Sequence, residues 1–285
     1  MRGTEAFFDK ATSTITYLVW DAESRQAVVI DAVMDFDPST GRTGFASADA
    51  VLARAEELGL KVVWALETHA HADHLSAGDH VRRKTGARLG IGARITDVQT
   101  RFRELFGAPE TETEAAVFDH LFEEGDVIAL GETVVRVMHT PGHTPACVTY
   151  VVDDAAFVGD TLFMPDYGTA RADFPGGDAA TLYRSIRRIL DLPAETRIFV
   201  GHDYLPPGRD RPLWETAVRE QREGNIHVHD GVGEDVFVAL RKTRDKTLAA
   251  PKLILPSLQV NIRGGALPKP EADGRIYLKT PVNAI

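Results

Sequence analysis

Runs of apolar residues separated by polar turns predict a chain that begins with strands and helices in alternation. Residues 14–20 and 27–31 are rich in β-branched and aromatic side chains and flank a polar turn, which predicts an N-terminal hairpin. A helical period at residues 47–58 precedes the apolar strand 61–66, and a short helix is expected to end near Gly86. This order favours an α/β architecture with helices outside a sheet.

The second half of the pattern predicts a meander of short strands, followed by helices. The strands are expected at residues 126–130, 133–138, 147–152 and 155–158, with a further strand at 197–200. An amphipathic helix is expected at residues 182–190, and two further helical stretches are expected at 214–223 and 234–248. A tail rich in Pro and Gly begins at Pro251, and its apolar residues predict that it packs on the body.

We therefore expect one domain over residues 1–285. Its core spans about residues 14–204, and residues 205–285 form a helical and extended C-terminal extension packed on that core. The length, with 44% hydrophobic and 26% charged residues, suits one domain with a full core. No window has the apolar length of a membrane span, and the N-terminus lacks signal character, which predicts a soluble cytoplasmic protein.

Charge and cysteine content argue against several kinds of site. The formal net charge of -10 repels phosphate backbones and the arginines are scattered, so no nucleic-acid partner is expected. The single cysteine, Cys147, rules out an internal disulfide and a thiolate zinc site, and it is expected in the core. Any metal must therefore be held by nitrogen and oxygen.

The densest chemistry lies in the run Thr68-His-Ala-His-Ala-Asp-His74, directly after the predicted strand 61–66. Side chains at i and i+2 of an extended segment point to the same side, so His69 and His71 can converge on one point. Asp73 and His74 follow in a turn that can reach the same space. Imidazole together with carboxylate suits zinc, iron or manganese better than calcium or magnesium, so the run predicts a metal site.

Three other predicted strand ends carry potential ligands. A Pro-Gly turn presents His143, and two apolar strands end in Gly159-Asp160 and Gly201-His202. Four strand ends thus offer seven candidate ligands.

These four ordered motifs resemble the metallo-β-lactamase superfamily over roughly residues 14–204. The resemblance implies a four-layer αββα sandwich with the metal at the edge between two sheets. The superfamily includes hydrolases, nucleases and dioxygenases, so the fold alone does not identify the reaction.

Three further segments are similar to the persulfide dioxygenases, the last of them to the bacterial branch. They are residues 167–177, Gly-His-Asp-Tyr at 201–204, and Pro-Ser-Leu-Gln-Val-Asn-Ile-Arg at 256–263. This resemblance implies that glutathione persulfide and O2 are converted to sulfite and glutathione at one Fe(II) per chain, in a homodimer. The persulfide donor is expected to be a small molecule or a separate protein.

The same resemblance assigns roles to individual residues. His69, His143 and Asp160 become the iron ligands and the catalytic centre, a two-histidine, one-carboxylate set that leaves coordination positions open. Arg171 would bind a carboxylate of glutathione, and Tyr204 its peptide. The remaining candidates would orient ligands or hold a second metal: His71, Asp73, His74 and His202. Thr169, Ala170 and Ala172 stand where relatives often have a cysteine, so no thiol can assist from that loop.

A glyoxalase II-type thioester hydrolase is the alternative, because the same residues could hold two metals such as Zn(II). One metal would take His69, His71 and His143, the other Asp73, His74 and His202, with Asp160 bridging. A metal store without turnover is a third possibility.

Some residues also have structural interpretations. Arg171 could pair with Asp173 or Asp166, and Tyr204 could be a half-buried aromatic. His227 and His229 are expected at the surface.

Overall fold

Two sheets and flanking helices are formed by residues 2–109 and 115–283, the part of the chain that this computed structural model describes. The strands are β1 (Arg2–Asp9), β2 (Thr14–Asp21), β3 (Gln26–Ile30), β4 (Val33–Asp37), β5 (Arg42–Gly44), β6 (Lys61–Leu66), β7 (Leu75–Ser76), β8 (Arg88–Gly92), β9 (His120–Phe122), β10 (Val127–Leu130), β11 (Thr133–His139), β12 (Val148–Val152), β13 (Ala155–Gly159), β14 (Arg197–Val200) and β15 (Glu215–Ala217). The helices are α1 (Ala46–Glu57), α2 (Gly78–Thr85), α3 (Ile95–Phe106), α4 (Ala179–Leu190), α5 (Val218–Gly224), α6 (Glu234–Asp245) and α7 (Ile254–Asn261). A short 3-10 helix covers Ala115–Val117.

The two large sheets each contain six strands. Their orders are β1-β2-β3-β6-β8-β9 and β10-β11-β12-β13-β14-β15, and a small sheet has the order β5-β4-β7. The strands β3, β6, β8 and β9 run parallel, as do β13 and β14. Parallel strands end at the same edge of a sheet, so the segments after β6 and after β13 and β14 can meet there.

Apolar side chains fill the space between the sheets. The ring of Tyr17 on β2 lies 5.1 Å from that of Phe157 and 5.5 Å from that of Phe199, which belong to the second sheet. The buried Tyr17 hydroxyl donates to the carbonyl oxygen of Val200 at 2.6 Å, so its burial leaves no polar group unpaired. Each fully buried aromatic of this kind stabilises the fold by about 1.5–3 kcal/mol.

Helices cover the outer faces of both sheets. Leu182, Ile186 and Ile189 of α4 are spaced by four and three residues, and all are fully buried in one cluster with the second sheet. Helices α1, α2 and α3 contribute to the cluster on the other side of the first sheet. The αββα sandwich expected from the sequence is therefore confirmed. No helix of the described residues is long and apolar enough to cross a membrane.

Backbone hydrogen bonds join the sheets at the edge where the candidate ligands lie. Ile15 N–H donates to the Gly201 carbonyl at 2.8 Å, and Val148 N–H donates to the Thr68 carbonyl at 2.9 Å. Gly159 has a φ of 51°, and a Cβ there would lie 2.4 Å from the Thr68 hydroxyl oxygen. Glycine is thus required immediately before Asp160.

Several elements differ from the pattern-based prediction. Residues 215–217 are extended and pair with β14, so the helix expected at 214–223 begins at Val218, where the Glu220 carboxylate accepts the Ala217 N–H at 3.0 Å. Strand β1 and helices α3 and α7 were not predicted. Helix α7 can form in the tail although it contains Pro256. This proline falls in the first turn of the helix, where a missing N–H breaks no helical bond.

Candidate metal centre

The seven candidate ligands lie at one edge of the sandwich, on segments that follow strands. Residues 69–74 follow β6, His143 lies on the connection from β11 to β12, Asp160 follows β13, and His202 follows β14. The three histidines of residues 69–74 and both His143 and His202 are buried. Ligands that are far apart in the sequence are thus brought together, most of them buried, at one edge of the sandwich.

The candidate ligand side chains form two adjacent groups. In the first group, the Asp160 Oδ2 atom lies 3.8 Å from His69 Nε2 and 3.8 Å from His143 Nε2. The second group contains His71, Asp73, His74 and His202, and in each group the ligand atoms lie within 4.8 Å of one another. Asp160 Oδ1 lies 3.4 Å from His202 Nε2, so this carboxylate faces both groups.

These separations are compatible with a bound ion. Two ligand atoms that each lie about 2.0–2.2 Å from one ion can be no more than roughly 4.4 Å apart. The 3.8 Å distances of the first group satisfy this limit, as does the 3.3 Å between His202 Nε2 and Asp73 Oδ2 in the second. Distance alone therefore allows one metal or two.

Atoms that face the centre have no hydrogen-bond partner among the described residues, although they are buried. They are His69 Nε2, His71 Nδ1, His74 Nε2, His202 Nε2 and Asp160 Oδ1. Buried polar atoms are nearly always paired, and an orphaned one costs about 1–3 kcal/mol. Five such atoms in the two adjacent groups fit one or two cations that accept their lone pairs.

Hydrogen bonds on the far side of the rings orient the imidazoles. His143 Nδ1 lies 2.8 Å from the Arg171 carbonyl oxygen, which can only accept, so Nδ1 carries the proton and Nε2 keeps its lone pair. His69 Nδ1 lies 3.0 Å from the Thr68 hydroxyl. Each ring of the first group thus presents Nε2 to the centre.

His71 is held by two buried carboxylates that the sequence pattern did not reveal. Its Nε2 atom lies 3.1 Å from Asp31 Oδ1 and 3.3 Å from Glu67 Oε2, which leaves Nδ1 facing the centre. Glu67 directly precedes the histidine run, so a carboxylate next to a ligand motif was the available signal for it. Asp31 directly follows β3 and lies far from the run in the sequence. Such partners fix the ring and increase its basicity as a ligand.

Burial and mutual repulsion prepare the first group for a cation. Burial and the neighbouring imidazoles of His71 and His143 hold the pKa of His69 well below its usual range, so the ring is a neutral ligand. Burial and the nearby Asp73 carboxylate raise the pKa of Asp160 well above its usual value. Burial also lowers the pKa of His202 to about 4. A bound cation would stabilise the ionised carboxylate and relieve this repulsion.

The two candidate substrate-binding residues both have partners within the chain. The Arg171 guanidinium bonds Asp173 at 2.5 and 2.8 Å and the Ala249 carbonyl at 2.6 Å. The Tyr204 hydroxyl donates to Asp73 Oδ2 at 3.3 Å, and its ring stacks on His202 at 5.4 Å. Both side chains nevertheless line the cavity in front of the ligands, so each can also meet a bound molecule.

That cavity has a volume of about 600 Å³ and opens directly onto the candidate ligands. His143, Asp160 and Asp73 form its floor, and Arg244 and Lys252 add positive charge at exposed positions. A volume of this order accommodates a molecule of several hundred daltons. A neighbouring cavity of about 500 Å³ shares His143 and Arg171 with it.

The expectation that His227 lies at the surface is wrong. The side chain is 5% exposed, and its Nδ1 accepts the N–H of Thr169 at 3.1 Å. The histidine reaches this position because Gly168 has no side chain: a Cβ there would lie 2.1 Å from His227 Nδ1. The ring therefore supports the loop that contains Arg171.

We expect His227 to make stability depend on pH. Burial, followed by the charges of Arg241 and Arg244, lowers the pKa of His227 from 6.5 to about 4. Because the folded pKa is the lower one, its contribution is complete above pH 6.5 and is lost as the pH falls toward 4, at up to about 1.4 kcal/mol per pH unit. Urea unfolding of the metal-free protein between pH 4.5 and 7 measures this slope, and His227→Gln should reduce it, while the buried histidines of the metal centre keep their own contribution. Equal slopes in both proteins would refute the assignment.

Residues 11–202 match the metallo-beta-lactamase superfamily. The chain is 54% identical to a probable metallo-hydrolase of Burkholderia pseudomallei, with 99% of each covered, and 42% identical to Glyoxylase B2 of Dictyostelium discoideum, with 98% and 96% covered. It is 33% identical to the mitochondrial persulfide dioxygenase ETHE1 of Bos taurus, with 90% and 87% covered. It spans 64% of the length of the beta-lactamase hydrolase-like proteins of Xylella fastidiosa.

The crystal structure of ETHE1 from Myxococcus xanthus is similar, with a TM-score of 0.75 and 30% identity over 93% of this chain and 100% of that chain. The chain therefore belongs to the metallo-β-lactamase superfamily. With its buried histidine and aspartate groups, it is a metal-dependent enzyme of that superfamily.

Proposed function

We propose that this enzyme is a persulfide dioxygenase that uses one Fe(II) per chain. The observation that carries the proposal is the first group, in which two imidazole Nε2 atoms and one carboxylate oxygen converge from three separate connections. Two histidines and one carboxylate are the ligand set of non-haem iron oxygenases. The similarity to ETHE1 proteins along most of the chain supports the same assignment.

The reaction would be glutathione persulfide + O2 + H2O → glutathione + sulfite + 2 H⁺. The terminal sulfur is oxidised by four electrons, which reduce one O2 molecule, and the S–S bond is cleaved. His69, His143 and Asp160 would hold the iron, and the bound ion would supply the redox chemistry that activates O2 toward the persulfide sulfur.

The other residues bind and orient the substrate. Arg244 and Lys252 would attract the anionic glutathione part of the substrate. Arg171 would bind one of its carboxylates through two guanidinium N–H groups once its hydrogen bonds to Asp173 are broken. Phe163, Tyr167 and Tyr204 form an aromatic wall of rings 5.4–5.9 Å apart that limits water near the reacting sulfur.

A thioester hydrolase with two metals is the second candidate, and two observations favour it. The Asp160 carboxylate directs one oxygen at each group, as a bridging ligand would. The relative at 54% identity is named a metallo-hydrolase and the one at 42% identity a glyoxylase, and neither name refers to an oxygenase. Two metals would activate water against a thioester carbonyl. In the dioxygenase proposal, Asp73 is instead engaged by the Tyr204 hydroxyl and helps to orient His202.

One paired measurement separates the candidates. Protein purified without oxygen is expected to contain about one iron per chain and to consume O2 when glutathione persulfide is added. Two zinc ions per chain with rapid hydrolysis of S-lactoylglutathione would instead establish the hydrolase. Bound metal with neither turnover would indicate a metal store. The assays are an elemental analysis, an oxygen electrode trace and the loss of thioester absorbance on the same preparation.

A further inference from the structure

The side chain of Asn261, at the end of α7, lies against the loop that carries His71, Asp73 and His74. Its amide nitrogen donates to the His71 carbonyl oxygen at 2.7 Å and to the His74 carbonyl oxygen at 2.9 Å. Its amide oxygen accepts the Ser76 N–H at 2.8 Å. One side chain thus binds three backbone groups within six residues.

The amide group of Asn261 matches this loop closely. It has two donors, and both go to carbonyls of residues that carry candidate metal-facing rings. The acceptor goes to β7, the first regular element after the loop. Asn261 is 4% exposed, so water does not compete for these hydrogen bonds.

Helix α7 provides a fixed base for this contact. Leu258, Val260 and Ile262 are fully buried against the first sheet's outer cluster. Gln99 of α3 donates to the Ile262 carbonyl at 3.0 Å, which ties the end of α7 to another helix. The position of Asn261 is therefore set by packing that does not involve the ligands.

We propose that Asn261 is a positioning residue that holds the loop of residues 71–76 in its metal-binding conformation. Asp31 and Glu67 fix the His71 ring from its outer side, and Asn261 fixes the backbone that carries it. Asp73 lies between the two bound carbonyls, so the direction of its carboxylate depends on the same contacts. The inference rests on the metal-binding part of the proposed function and holds for either reaction.

The test compares Asn261→Ala with Gln259→Ala. Gln259 lies on the same helix, is also buried, and also makes three amide hydrogen bonds, to the Leu255 carbonyl and to the Lys279 carbonyl and N–H. Neither partner belongs to the metal loop. Each variant therefore loses three hydrogen bonds of a buried amide group, buried ones for Asn261 and partly buried ones for Gln259, but Asn261→Ala alone releases the loop.

Metal affinity is measured by competition with a chelator, using Fe(II) without oxygen and Zn(II) separately, and unfolding of the metal-free proteins is measured in urea. Asn261→Ala is expected to weaken metal binding by about 10–100-fold. This is the usual effect of removing a residue that orients a metal ligand through hydrogen bonds. Gln259→Ala should bind metal like the unmodified chain, although it also loses metal-free stability. If Asn261→Ala does not fold, Asn261→Ser keeps one hydroxyl donor in a smaller side chain and should still show a measurable loss of affinity.

Unchanged affinity in the Asn261 variants, or equal loss in Gln259→Ala, would overturn the inference. In that case the unmodified chain would still bind metal and turn over its substrate. Failure of the proposed function would appear differently, as an unmodified chain that binds neither Fe(II) nor Zn(II) or shows no turnover.

Discussion

Replacing Asp160 by alanine is expected to remove the bound metal and to lower kcat/KM by about 1,000-fold or more, a loss of ~4 kcal/mol of transition-state stabilisation. The residue supplies the carboxylate of the first group, and its oxygens face both groups. The metal-free fold should keep its stability, because the buried Asp160 Oδ1 has no hydrogen-bond partner to lose among the described residues. Elemental analysis, turnover and urea unfolding of the purified variant measure these three quantities.

His202→Ala is the contrasting variant. Its ring belongs to the second group and stacks on Tyr204, so a one-iron enzyme should retain most of its metal without it. The variant should still lose some activity because Asp73 loses a partner. Equal metal loss in Asp160→Ala and His202→Ala would show that His202 is itself a ligand, which is the result the two-metal hydrolase requires.

The second large effect is expected on stability, from Arg241→Met. Arg241 is 1% exposed, forms an ion pair with Asp245 of the same helix, and donates to the Thr169 carbonyl at 3.0 Å. Removing one partner leaves a buried charge unpaired, which costs about 3–5 kcal/mol. Urea unfolding of the metal-free protein should show this loss in the free energy of unfolding.

A double variant identifies the cause of that loss. Arg241→Met with Asp245→Leu removes both charges, so the stability should recover in part. A deficit of about 1–3 kcal/mol should remain, because the Ala172 N–H loses the Asp245 oxygen that accepts it at 2.9 Å. If the double variant were no more stable than Arg241→Met alone, the unpaired carboxylate would not be the origin of the effect.

The Arg241–Asp245 pair also connects α6 to the metal centre. It holds the loop from Thr169 to Ala172, and the Arg171 carbonyl in that loop accepts a hydrogen bond from His143 Nδ1–H. The predicted C-terminal extension is therefore in contact with the ligand environment. The sequence indicated that this region packs on the body, but the residues through which it does so follow from the structure.

Strong local signals made much of the fold predictable. Strands β2, β3, β6, β12, β13 and β14 are apolar runs bounded by turn residues, and each was expected within a few residues of its observed range. The edge strand β1 was missed because residues 3–6 alternate weakly, and its pairing with β2 decides its conformation. Helix α7 was not predicted because its segment contains a proline and lies in a tail rich in Pro and Gly.

The sequence by itself determined which side chains could hold a metal, because ligand chemistry at the end of an apolar strand is a local property. The tertiary structure alone decided how those side chains group, which carboxylates hold His71, and that His227 is buried. Asn261 illustrates the reason: it contacts His71 across 190 residues of chain, and a contact of that kind depends on how α7 packs against the first sheet. Periodicity records which face of an element is buried, but it does not specify what lies against that face.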